Sequence, residues 1–261
     1  MTPEIAYPID MLSGPQGFEP TRVWAIAANL RRQIESAVGR PPNAVEDLSA
    51  ALPTIAVNGR VIAIAWDFRH PVHDDDGRPV LGVCETDPDD PSSAYVSVNG
   101  PLLGARPDLM LSTAAHELGH AVFDVPAMLQ NVGAARRRLR VLTPSLAALA
   151  HARDPRERRA NEFMGGFLAP PLTVHRELLR RAREDGLPLA RAPHLGRPAW
   201  PVVSGDSDPD SLAGLVTVLA QDFCVSPGFM TVRLQRYGFI SRTRTEARTG
   251  AWTGAWTGAR T

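Results

Sequence analysis

The chain contains no lysine; all 28 of its basic residues are arginine. A lysine Schiff base and a phosphate-loop lysine are therefore excluded, and with them pyridoxal enzymes and Walker-type nucleotidases. Only Cys84 and Cys224 represent cysteine, too few for a disulfide framework or an all-thiolate zinc cage. The 28 acidic and 28 basic residues cancel, so no global field draws the chain to nucleic acid or to an anionic surface. No apolar run reaches the roughly 20 residues a membrane span requires. The opening MTPEIAYPIDMLSGPQGFEP lacks a basic region followed by an apolar run, so it does not read as a signal peptide. These absences lead to the expectation of a soluble, cytoplasmic protein without a membrane partner.

What is present is enough for a core: 261 residues, 44% of them hydrophobic. Val23, Ile26, Ala27, Leu30, Ile34 and Val38 recur at helical spacing until Gly39, Pro41 and Pro42 stop the run. TIAVNGRVIAIAWDF (54–68) reads as a hairpin around Asn58-Gly59. PVLGVCET (79–86) and AYVSV (94–98) read as two further strands joined by the loop DPDDPSS. Asp108 is placed to start a helix over about 109–123, and Asp154-Pro155 starts another that Pro170-Pro171 ends. Residues 186–210, rich in Pro, Gly and Ser, read as a loop. Asp208-Pro209 and Ser226-Pro227 open two more helices, the second closed by Gly238. The repeat TGAWTGAWTGART at the end carries no core-forming pattern and reads as disordered, with Trp252 and Trp256 as possible docking residues.

The segment TAAHELGHAVF (113–123) carries the chemistry. Residues four apart share a helix face, so His116 and His120 can chelate one ion through neutral ring nitrogens. Glu117 lies about a quarter-turn away, where a general base takes a proton from metal-bound water. The alternative, an exposed helix with a polar stripe, is weakened by the apolar neighbours Leu111, Ala114, Ala115, Leu118, Val122 and Phe123. A catalytic zinc needs a third protein ligand. The extended histidine pattern fails, because Phe123 occupies its glycine position and Pro126 its third histidine position. DPRERRANEFMGGFLAP (154–170) offers Glu157 and Glu162. Ala160, Asn161, Phe163, Met164, Phe167 and Leu168 form one stripe; Glu157 lies near its centre, whereas Glu162 falls opposite it beside Arg158 and Arg159, on the side expected to face water. Glu157 equally fits a capping box with Asp154. Asn161 shares the Glu157 face and could accept the outer N–H of a ligating histidine, or make a local backbone bond. His70 and His73 flank an acidic turn. His175 and Tyr95 are candidate oxyanion donors that spacing cannot place.

MLSTAAHELGHAVF followed by ERRANEFMGGFLAP resembles the ImmA/IrrE family of zinc metallopeptidases. YVSVNG is similar to the strand that family sets before its metal helix, and LAQDFCVSPGFMTVRLQRYGFI (219–240) to its later helical pair. The resemblance spans about residues 22–240. It departs at Met164, where the family often has alanine, and in the arginine-rich stretch between His120 and Glu157. It implies His116, His120 and Glu157 as ligands of one catalytic zinc ion, Glu117 as the catalytic glutamate, and helix-turn-helix repressors as substrates in stress response or mobile-element regulation.

The expected fold is α+β: a zincin-like metallopeptidase domain with a small antiparallel or mixed sheet on the metal-binding helices and a C-terminal helical pair. The expected division is an N-terminal extension (1–19), the domain (20–240, its helical pair at 211–238) and a tail (241–261). Strand 94–98 is a candidate sheet edge on which an extended peptide could lie. Two other functions remain open. The 211–238 pair mimics a helix-turn-helix, although Arg233 and Arg236 make a thin phosphate-binding set, so direct nucleic-acid binding is not expected. The other is a metal sensor without peptidase turnover.

Overall fold

The computed structural model describes residues 2–8, 19–87, 89–130, 140–143, 154–194 and 197–241. Most of the arginine-rich stretch between His120 and Glu157, and the tail from residue 242 on, lie outside them. The fold is mixed α+β, and the chain forms two compact units, 1–170 and 171–261.

The first unit runs β1 (Glu4–Ile5), α1 (Pro20–Val38), α2 (Val45–Ala51), β2 (Thr54–Val57), β3 (Arg60–Asp67), β4 (Gly82–Asp87), β5 (Asp90–Val98), α3 (Gly100–Leu103), α4 (Pro107–Gln130), β6 (Arg140–Thr143) and α5 (Pro155–Leu168). Its six-stranded sheet has the order β1-β2-β3-β5-β4-β6. The β1–β2 and β3–β5 pairs are parallel and the others antiparallel. Asn58 and Gly59 turn β2 into β3 with φ of 52° and 77°, the two left-handed positions that a tight hairpin demands. Residues 4–5 are built into the sheet rather than appended to it. Just beyond them, Tyr7 is buried, and its hydroxyl donates to the Val122 carbonyl of α4 at 2.5 Å.

Strand β5 is not the sheet edge that its short alternating sequence suggested. It lies between β3 and β4, because the crossover from β3 returns the chain one place beyond its neighbour. Its Ala94, Val96 and Val98 are fully buried on the side where α4 packs. Tyr95 alternates to the other side and is 38% exposed.

Helix α4 runs well past the expected end at 123, carrying Pro126 inside it. Helix α5 begins where the sequence placed it: Asp154 accepts the Arg156 amide at 2.8 Å, and Pro155 fills the first helical position. Two helices, α4 and α1, pack against α5. Both of its sides are therefore covered, and of the residues expected to face water Arg158 does so, while Glu162 and Arg159 are buried. Glu162 is 5% exposed and accepts the Trp24 indole N–H of α1 at 2.7 Å; Arg159 is 7% exposed.

The second unit holds α6 (Pro171–Glu184), β7 (Leu189–His194), β8 (Arg197–Val203), α7 (Pro209–Asp222) and α8 (Pro227–Tyr237). The stretch expected to be a loop contains an antiparallel hairpin, β7–β8, with an irregularity between Ala192 and His194. A two-stranded ribbon leaves each strand one unpaired edge, so its prolines can be tolerated. Asp208 and Ser226 cap α7 and α8 by accepting the amides of Ser211 and Phe229, and Gly238 ends α8 with φ of 67°. No single helix among the described residues is long and apolar enough to cross a membrane.

Candidate metal centre

His116 and His120 stand one turn apart on α4, both fully buried, with their Nε2 atoms 3.1 Å apart. Glu157, in the first turn of α5, completes the group. Its Oε2 lies 3.3 Å from His116 Nε2 and its Oε1 3.4 Å from His120 Nε2. The carboxylate thus turns to the histidines rather than back to the Asp154 amide of a capping box. An ion held tetrahedrally at about 2.0–2.1 Å sets its ligand atoms about 3.3–3.4 Å from one another. Three contacts between 3.1 and 3.4 Å match that spacing.

The donor set also fits a cation chemically. Two imidazole nitrogens face each other, and Glu157 Oε2 is buried without a hydrogen bond. Such a cluster is costly unless a positive charge engages it. Among the described residues this is the one group of three or more His, Cys, Asp or Glu side chains arranged to hold a metal ion. His70 instead pairs with the exposed Asp67 at 2.8 Å. Glu157 keeps 14% side-chain exposure, whereas both histidines have none.

The convergence depends on a close helix crossing. A Cβ on Gly119 would stand 3.0 Å from Ala160 Cα and 3.3 Å from both the Ala160 oxygen and Phe163 Cβ. Only a residue without a side chain lets α4 and α5 approach so nearly, with Gly119 next to His120 and Ala160 one turn from Glu157.

Charge is organised around the ligands. Burial pulls the His116 pKa down to about 4, with the His120 charge adding to it, while Glu157 and an Asn161 side-chain hydrogen bond oppose. His116 is therefore neutral, as a ligand must be. Burial acts on His120 the same way, but the hydrogen bond and charge of Asp124 overcome it and raise its pKa. Asp124 Oδ2 lies 2.6 Å from His120 Nδ1, and its Oδ1 accepts Arg159 Nη2 at 2.5 Å. Burial would raise the Asp124 pKa, yet His120 and Arg159 hold it below the usual carboxylate range.

Glu117, fully buried, lies on α4 against the backbone of β4: a Cβ on Gly82 would come 2.8 Å from its Oε1 and 2.7 Å from Thr113 Cγ2. Its charge reaches both His120 and Cys84.

His116, His120 and Glu157 thus gather in one cluster with Glu117 beside it. Asn161 acts on His116 electrostatically, but it does not take up the outer N–H of either histidine, since His116 Nδ1 is buried without a hydrogen bond and His120 Nδ1 pairs with Asp124. Of the two oxyanion candidates, Tyr95 does not join them. Tyr95 is on the sheet face away from α4. His175 belongs to the second unit, where its Nε2 donates to the Pro201 carbonyl at 2.7 Å and its ring lies against Trp200 and Phe239. Sequence reasoning passed over Asp124 and Arg159. Asp124 carries the same four-residue spacing from His120 that singled out the histidine pair, so a signal was there. No family model matches this chain, and a search of curated proteins returned no match.

Proposed function

We infer that this chain is a zinc-dependent endopeptidase with a zincin-like catalytic unit, of the kind the ImmA/IrrE resemblance implies. The observation that carries this reading is the meeting of His116, His120 and Glu157 at 3.1–3.4 Å, with Glu117 next in sequence to the first ligand. His116, His120 and Glu157 would hold the ion. When bound, zinc supplies an acidified water near neutral pH and an electrophile for the scissile carbonyl. Glu117 takes the proton of the attacking water and passes it to the leaving amide nitrogen. Burial around Glu117 and the histidines excludes bulk water and strengthens each charge interaction there.

The substrate class proposed is a helix-turn-helix repressor, which places the activity in the cytoplasm. The rival in which α7 and α8 bind DNA gains from their 103° crossing, which suits a helix-turn-helix. It loses from Arg233, one of its two arginines, being 5% exposed and set over the Phe229 ring at 5.6 Å. The test is incubation of the zinc-loaded chain with a repressor encoded nearby. Wild type cuts it and Glu117→Gln does not. Equal cutting by the two overturns the assignment of the base. Retained zinc with no hydrolysis by wild type favours a sensor.

A further inference from the structure

We propose that Asp124 and Arg159 are positioning residues for the metal centre: Arg159 fixes the Asp124 carboxylate, which orients His120 so that its Nε2 faces the ion. The inference rests on the reading of His116, His120 and Glu157 as metal ligands, and goes beyond it to residues that touch no metal.

Asp124 is one turn beyond His120 on α4, 6% exposed, and its two oxygens have different partners. Oδ2 meets His120 Nδ1 at 2.6 Å and Oδ1 meets Arg159 Nη2 at 2.5 Å. A carboxylate in that position accepts a proton only from Nδ1, so the His120 tautomer is set with its lone pair on Nε2. Nε2 is the atom that faces His116 and Glu157.

Arg159 does more than neutralise Asp124. It sits two residues after Glu157 on α5, so its bond to α4 ties together the two helices that supply ligands. Its guanidinium also lies over the Phe123 ring of α4 at 5.5 Å. One buried ion pair therefore sets both the orientation of the second histidine and the docking of the helix that carries the carboxylate. Solvation of a helix face does not account for it, because both side chains are buried where water cannot replace either partner.

The test uses the full chain, with zinc affinity measured by competition against a chromophoric chelator and the fold checked by circular dichroism. Outer-sphere partners of this kind typically contribute about 10- to 100-fold in metal affinity. Asp124→Ala is expected to weaken zinc by that amount. Asp124→Asn, whose amide oxygen can still accept the Nδ1 proton, is expected to fall between alanine and wild type. Arg159→Met is expected to weaken zinc although it removes no contact to a ligand. Trp24→Phe, which breaks the Trp24–Glu162 bond on the other side of α5, is expected to leave zinc affinity unchanged. A purely structural clamp makes asparagine as weak as alanine, since neither pairs with the Arg159 charge; that result overturns the proposal. So does a Trp24→Phe loss as large as that of Arg159→Met. If wild type binds one zinc and the Asp124 and Arg159 variants match it, this inference alone fails. If wild type binds none, the metal reading fails with it.

Discussion

Replacing Gly119 by alanine sets two opposed effects against each other. In a helix interior alanine is favoured over glycine by about 1 kcal/mol. At Gly119 the added methyl would stand 3.0 Å from Ala160 Cα and 3.3 Å from Phe163 Cβ. The first of these neighbours is backbone and cannot rotate aside, so α4 and α5 must part by a few tenths of an ångström. Overpacking of this kind costs about 1–3 kcal/mol, leaving a net loss of roughly 1 kcal/mol. The larger consequence falls on the metal. Ala160 is one turn from Glu157, so the carboxylate moves with the helix, and metal sites tolerate only about 0.2 Å in ligand distance. Gly119→Ala is therefore expected to lower both stability in urea and zinc affinity by chelator competition. Gly214, in α7, has open space around its would-be Cβ. Gly214→Ala is expected to stabilise by about 1 kcal/mol and leave zinc binding alone. If Gly119→Ala stabilises as Gly214→Ala does and binds zinc like wild type, the close crossing is not what assembles the centre.

Further outcomes are open to measurement. Gly82→Ala would press a methyl to 2.8 Å from Glu117 Oε1; peptidase turnover should fall steeply while zinc stays bound, and unchanged turnover would show that the Glu117 carboxylate does not need that space. Folded metal-free protein holds His116 at about 4, below its unfolded value of 6.5, so the folded state binds fewer protons between them. Stability from this group is full above pH 6.5 and is lost as pH falls toward 4, by up to about 3 kcal/mol. His120, raised, contributes in the opposite sense, with stability present below 6.5 and lost as pH rises through its folded value. Urea titrations of chelator-treated protein from pH 7 to 4 should thus be flatter for His116→Asn than for wild type; parallel curves would contradict the assignment. Arg31 donates to the Phe167 and Leu168 carbonyls at the end of α5. Arg31→Met should cost about 1–3 kcal/mol by leaving buried acceptors unmet, read by thermal melting, and a cost near zero would contradict that accounting.

Local chemistry made much of this site legible. The four-residue spacing of His116 and His120 needed only helix geometry, and Asp154-Pro155 fixed where α5 begins, hence where Glu157 lies in its first turn. Asn58-Gly59 gave its hairpin, and Gly39 and Gly238 ended their helices, because left-handed backbone has few other occupants. What failed depended on tertiary neighbours. A helical wheel has one inside, but α5 is covered by both α4 and α1, so Arg159 and Glu162 were assigned to water and are buried. The place of β5 in the sheet follows from a crossover that its own alternation cannot encode. The β7–β8 hairpin was masked by prolines that a ribbon's open edges accept. Asp124 was readable by the same rule as the histidines, but a lone acid within an apolar helix does not announce its partner, and Arg159 is distant in sequence.

The most direct measurement is the zinc content of the purified full chain and of its Glu157→Ala and Glu117→Gln variants. The expected result is one zinc per wild-type chain, loss of tight zinc with Glu157→Ala, and full retention with Glu117→Gln. Equal zinc in wild type and Glu157→Ala, or none in either, would contradict the claim that His116, His120 and Glu157 share one ion.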